Sequence, residues 1–134
     1  MFIQERIVVI QIRKLSNRWI MQITTTIKYI RINPRKVHRV IRELVGKPAS
    51  EAMKILNFLP QHSAAVLVKV LKSAVANAVH NYKMTEQDLI VSEGHVGQAA
   101  VMKRFTPMSR GRAGAIQKKL SHITISLKEG RLNK

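Results

Sequence analysis

The apolar positions along the chain change period several times, and each change predicts an element. The stretch TTTIKYIRI, Thr24 to Ile32, is rich in β-branched residues and predicts a strand. Asn33 and Pro34 end it. Asn33 can accept a backbone N–H bond as a helix cap, and Pro34 suits the first helical position, where its missing N–H would go unpaired anyway. Val37, Val40, Ile41, Leu44 and Val45 then fall at i, i+3, i+4, i+7 and i+8, the stripe of a helix with one buried face, and Gly46 stops it. Pro48 to Glu51 opens a second helix, with Ala52, Ile55, Leu56 and Leu59 at helical spacing and Pro60 closing it. A longer helix runs from Gln61 to about Asn81. It is apolar around most of its circumference, so it belongs at the centre of a core, and its polar residues Lys69, Lys72, Ser73, Asn77 and His80 form one narrow stripe. The small residues Ala74, Ala76 and Ala78 would let neighbouring layers approach closely.

Past Asn81 the period becomes two. LIVSEGHV, Leu89 to Val96, predicts a second strand, and LSHITISLK alternates Ile123, Ile125 and Leu127 against His122, Thr124, Ser126 and Lys128, the plainest strand signal in the chain. Between them AAVMKRF keeps strand propensity, so Leu89 to Phe105 and Ala113 to Lys128 are expected to pair. The loop then falls near Thr106 to Arg112, turned by Pro107 and Gly111. About 13 residues separate a sheet edge near Val96 from Ser109, a reach of roughly 40 Å at about 3.3 Å per residue. The order β, α, α, α, β, β predicts an α+β fold, three helices packed on a small three-stranded antiparallel sheet with a long protruding β-hairpin. At 134 residues it makes one domain, expected over residues 24–134 with the hairpin at about 94–120, and residues 1–23 read as an N-terminal extension.

Charge changes this picture from a fold to a binding protein. There are 24 Lys and Arg against 7 Asp and Glu, a formal net charge of +17. Such a chain repels itself unless a polyanion neutralises it, which points to nucleic acid ahead of an anionic membrane. With 46% hydrophobic residues the charge decorates a core and is not a disordered tail. The absence of Cys excludes disulfides, Cys-based zinc sites and a thiol nucleophile. In the N-terminal segment Glu5, Arg6, Arg13, Lys14 and Arg18 interrupt every apolar run, so neither a spanning helix nor a signal-peptide core is expected. A remnant of organelle targeting is the alternative, weakened by Glu5 and few Ser.

The bases are not spread evenly. Arg6 to Arg42 holds ten without an acid, and Gly94 to Lys128 holds seven. On the first helix Arg35, Arg39 and Arg42 recur on one side with Lys36 beside them, and no acid sits among those bases to relieve their repulsion. An ordinary solvated face is the bland reading of such a ridge; phosphate contact is the one favoured here. The hairpin carries Lys103, Arg104, Arg110, Arg112, Lys118 and Lys119. A two-stranded ribbon is marginally stable alone in water, and this one is also self-repelling, so it is expected to order against a polyanion. Arg and Lys there position a phosphate backbone and read no bases. Aromatics are 4% of the chain and Phe105 is the only one in the arm, so no stacking platform is expected and the partner is read by shape.

Five ordered motifs, INPRKVHRVIREL, LKSAVANAVHN, VMKRF, SRGRAGAI and SHITI, together resemble the bacterial-type large-subunit ribosomal protein family L twenty-two, or uL twenty-two, over about Thr26 to Lys128. The resemblance implies a compact α+β body on the outside of the large ribosomal subunit. It also implies a hairpin that passes through ribosomal RNA to the wall of the nascent-peptide exit tunnel, near where macrolide antibiotics bind. By that likeness the RNA-binding residues are Arg35, Lys36, Arg39, Arg42, Lys69, Lys72, Ser73, Asn77, His80, Lys103, Arg104, Arg112, Lys118, Lys119 and His122. Met102, Lys103, Arg104, Phe105, Pro107, Met108, Ser109, Arg110 and Gly111 would form the tunnel hairpin. The implied partners are large-subunit ribosomal RNA, neighbouring ribosomal proteins and the nascent polypeptide, with no metal and no cofactor. The implied location is the large subunit of a ribosome in a bacterial cytoplasm or mitochondrial matrix, with a plastid stroma ranked behind them. This chain differs from the family pattern in carrying Met108 and Ser109 where a further base is common, and Val79 where an acid is.

Two other classes remain open at this point. His38, His62, His80, His95 and His122 show no metal-ligand spacing, and the chain has no nucleophile elbow or phosphate loop, which argues against an enzyme. A DNA-architectural protein with a β-arm would share the charge and the salt dependence, and would use Pro107 and Met108 as a wedge between base steps.

Overall fold

The computed structural model describes residues 14–15, 18–19 and 22–130. Most of the proposed N-terminal extension lies outside the described residues. Lys14–Leu15 (β1) and Arg18–Trp19 (β2) pair antiparallel. A separate three-stranded antiparallel sheet is made by Gln22–Ile30 (β3), Leu89–Pro107 (β4) and Ala113–Glu129 (β5), in the order β3-β5-β4. The strand with the cleanest alternation, β5, is therefore the central one. Pro34–Leu44 (α1), Ala49–Phe58 (α2) and His62–Tyr82 (α3) pack on one face of that sheet.

The α+β architecture expected from the element order is the one observed. Asn33 caps α1 as its sequence position predicts: the Asn33 side-chain oxygen accepts the Arg35 N–H at 3.1 Å, and Pro34 takes the first helical position. Val37, Val40, Ile41 and Leu44 are buried. Val45, expected on the same stripe, is 42% exposed, because α1 ends at Leu44 and Val45 is an extended C-cap. On α3 the residues Leu67, Val70, Leu71, Ala74, Val75 and Ala78 are buried and form the middle of the core. Ala76 faces outward, so only Ala74 and Ala78 bring layers together. Ile123, Ile125 and Leu127 meet α3 from β5. Where α1 crosses β4 there is no room even for a methyl group, and a Cβ on Gly94 would run into Cγ2 of Ile41.

Three register breaks shape the sheet. β4 carries an extra residue between Val91 and Glu93 and another between Gln98 and Val101, and β3 carries one between Ile27 and Ile30. A bulge of this kind raises the local twist and re-aims the strand. The break in β3 ends its pairing at Ile30↔Ser121, short of the expected Ile32, and it places Tyr29 at φ 60°. A left-handed backbone at a non-glycine residue costs roughly 1–2 kcal/mol. Beyond Gln98↔Ser121 only β4 and β5 continue, to Pro107↔Ala113. That two-stranded arm, from Ala99 to Pro107, spans roughly 30 Å before its tip. The reach of about 40 Å counted from Val96 is shortened because β3 supports the root of the hairpin two residues further along. The loop is also tighter than Thr106 to Arg112, since Pro107 still pairs; Met108 N–H donates to the Arg112 carbonyl at 2.7 Å, and Arg110 and Gly111 at φ 58° and 66° make the turn.

Candidate nucleic-acid interface

Three groups of sequence-predicted residues occupy three different surfaces. The first lies at the start of α1. Arg35, Lys36 and Arg39 are exposed and line a cleft of about 580 Å³ together with Arg31, His62 and Ser63. Arg31 comes from the connection between β3 and α1, and His62 and Ser63 from the first turn of α3, whose preceding Gln61 makes no side-chain cap. Both helices thus point positive dipole ends, and α3 also its uncapped first-turn N–H groups, toward a cleft that already holds four cations and no acid; the first turn of α1 is already satisfied by Asn33. That combination suits a phosphate. Arg42 is exposed two turns further along α1, outside the cleft.

The second surface is the polar side of α3. Lys69, Lys72 and His80 are exposed and Ser73 and Asn77 half-buried, as expected of a stripe bordering an apolar helix. It runs along the helix layer away from the cleft, so the α1 ridge and the α3 stripe do not form one site.

The arm is the third surface. Register decides which way its cations point: Lys103 opposes Gln117 and Val101 opposes Lys119, while Arg104 opposes Ile116 and Met102 opposes Lys118. Residues directly opposite share a face and alternate residues switch. Lys103 and Lys119 therefore occupy one face of the ribbon, with Phe105, and Arg104 and Lys118 occupy the other, with Met102 and Ile116. Phe105 is 78% exposed and Ile116 44%. Arg104 lies back along its own strand, donating to the Lys103 carbonyl at 2.7 Å with its other terminal nitrogen 3.9 Å from the Met102 sulfur. At the tip Ser109, Arg110, Gly111 and Arg112 are exposed, and Met108 folds over Gly114. Among the described residues the only carboxylate within 4.0 Å of a basic side chain is Glu93, whose Oε2 lies 3.3 Å from His95 Nε2, and none reaches an arm cation.

His122 does not join the helix-side cations. It stands on the opposite face of the sheet, beside a ladder of small polar residues in which Thr24 bonds Ser126 at 3.1 Å, Thr26 bonds Thr124 at 3.0 Å and Gln22 Nε2 donates to Ser92 Oγ at 2.8 Å. The Tyr29 N–H donates to His122 Nδ1 at 3.1 Å, and the two rings meet edge-to-face with centroids 4.7 Å apart. Sequence reasoning missed Arg31, His62 and Ser63 because they reach the cleft from three separate segments. Tyr29 was hidden inside a strand pattern that gave no sign of the bulge.

The family described as Ribosomal protein L22p/L17e matches residues 25–128. Relatives named Large ribosomal subunit protein uL22 include those of Heliobacterium modesticaldum, 51% identical over 76% of this chain and 73% of its own length, and Oceanobacillus iheyensis, 46% identical over 81% of this chain and 96% of its own. The one from Finegoldia magna is 43% identical over 84% of this chain and its full length. The chain belongs to this ribosomal protein family, which is structural and non-enzymatic.

Proposed function

We propose that this chain binds large-subunit ribosomal RNA mainly through phosphate contacts and threads its β4–β5 arm through that RNA, with the tip lining the nascent-peptide exit tunnel. The observation that carries the reading is the arm itself, exposed along both faces, bearing cations on both, and without an acid to pair with them. A ribbon lying on a surface needs charge on one face only; charge on both suits a ribbon enclosed by phosphates. Lys103, Arg104, Arg112, Lys118 and Lys119 anchor the arm, Met102 and Phe105 lie on its two faces on the approach to the tunnel, and the tip from Pro107 to Gly111 faces the tunnel and the growing peptide. Arg35, Lys36, Arg39 and Arg42 on α1, the stripe Lys69, Lys72, Ser73, Asn77 and His80 on α3, and His122 on the sheet hold the body against RNA and neighbouring ribosomal proteins.

Residues 24–134 act as one unit, and residues 1–23 extend ahead of it; β3 begins at Gln22, so the last two residues of the extension already belong to the sheet. The bacterial relatives favour a bacterial cytoplasm, with a mitochondrial matrix as the alternative. Among the described residues no helix is long and apolar enough to cross a membrane. The deciding experiment is co-sedimentation of the chain with large subunits through a moderate-salt wash, followed by a density map that places the arm. Recovery only with DNA, or an arm outside the tunnel wall, refutes the reading.

A further inference from the structure

We infer that Tyr29 is a stacking platform for an unpaired nucleobase of the bound RNA, held in place by His122. The inference rests on the RNA-binding reading above and adds base contact to a protein otherwise equipped for phosphates.

Tyr29 sits at φ 60° in the bulge of β3, a position where glycine or asparagine would be unstrained. A bulky residue held in the left-handed region by its surroundings is a pointer to function. What the strain achieves is visible in the side chain. Tyr29 is 64% exposed, so the ring gains little from the core, yet it is fixed from two directions. Its own N–H donates to His122 Nδ1 at 3.1 Å, which puts the imidazole proton on Nε2, and the His122 ring stands at 83° to the phenol ring with centroids 4.7 Å apart. An edge-to-face contact leaves at least one face of the tyrosine ring open. On the other side of His122, β4 presents Gly97 in direct register, an exposed position with no side chain to fill the space. A flat group therefore has the exposed ring of Tyr29 to lie on, and the space over Gly97 lies across His122 from it. Exposed Lys28 precedes the ring in sequence and supplies charge for a flanking phosphate. Base–aromatic stacking needs a rigid, accessible π-face next to cations, and it tolerates any base.

The test uses the full chain and a transcript of the large-subunit ribosomal RNA, with affinity measured from 50 to 200 mM salt. Tyr29→Gly and Tyr29→Asn both accept the left-handed backbone and remove the ring, and their thermal melts show whether the body is intact. The expected result is a loss of roughly 5- to 100-fold in affinity for both, with the slope of log affinity against log salt unchanged and with Tyr29→Phe binding like the wild type. Wild-type affinity in the glycine and asparagine variants overturns the inference, as does a loss accompanied by a flatter slope, which would mark a lost phosphate contact. A wild-type chain without salt-dependent RNA binding would instead bring down the RNA-binding reading, and the stacking inference with it. In assembled subunits, ultraviolet cross-linking should join Tyr29 to a nucleotide; an adduct between Tyr29 and a neighbouring protein overturns the inference.

Discussion

Removing the arm's cations one face at a time should weaken RNA binding in equal steps. The pairs are fixed by register: Lys103 and Lys119 on one face, Arg104 and Lys118 on the other. Each phosphate neutralised contributes about 0.7 to 0.9 to the slope of log affinity against log salt, so Lys103→Ala with Lys119→Ala should lower that slope by about 1.4 to 1.8. Raising salt fourfold, from 50 to 200 mM, should then cost the wild-type chain about 7- to 12-fold more affinity than the double variant. The pair Arg104→Ala with Lys118→Ala should give the same change if RNA encloses the arm. Filter binding of the full chain to large-subunit ribosomal RNA at four salt concentrations measures both slopes. An effect from one pair and none from the other would mean that the arm lies on the RNA by a single face, and no effect from either would remove the arm from the RNA altogether. The body can be checked separately, because no residue of the hydrophobic core lies between 97 and 120.

Other consequences follow from the same geometry. Gly94→Ala pushes a methyl into Ile41 and should destabilise the free chain by about 1–3 kcal/mol; adding Ile41→Leu, which removes the offending Cγ2, should recover part of the loss, and strictly additive urea-melt energies would refute the contact. Thr25 is buried with its hydroxyl unpartnered among the described residues, so Thr25→Val should stabilise by about 1 kcal/mol in the same assay, and a destabilised variant would show that the hydroxyl is satisfied. Asn33→Ala removes the α1 cap and should cost about 1 kcal/mol in thermal melts. Replacing Ala99 to Leu120 by a short turn should leave cooperative body unfolding intact while preventing retention on washed large subunits; a body that no longer melts cooperatively would show that the arm contributes to the core.

Much of this protein could be read before any coordinates, and the part that could be read is the local part. A helix cap, a change of hydrophobic period, a glycine stop and a run of bases without acids are properties of neighbouring residues, so the three helices, the three strands of the main sheet and the arm's charge were visible along the chain, while the short β1–β2 pair was not. The family motifs added the expected setting because their order and spacing survive in the sequence. The tertiary structure decided what depends on register. A slip of one residue moves every side chain of a strand to the other face. Only the pairing shows which of the arm's cations share a face, that His122 meets Tyr29, and that the last strand is the central one. The cleft at α1 is of the same kind: Arg31, Arg35 and His62 belong to three segments, and the packing of α1 against α3 brings them together because burying Val37, Val40 and Leu67 in one core leaves both helix starts on the same side.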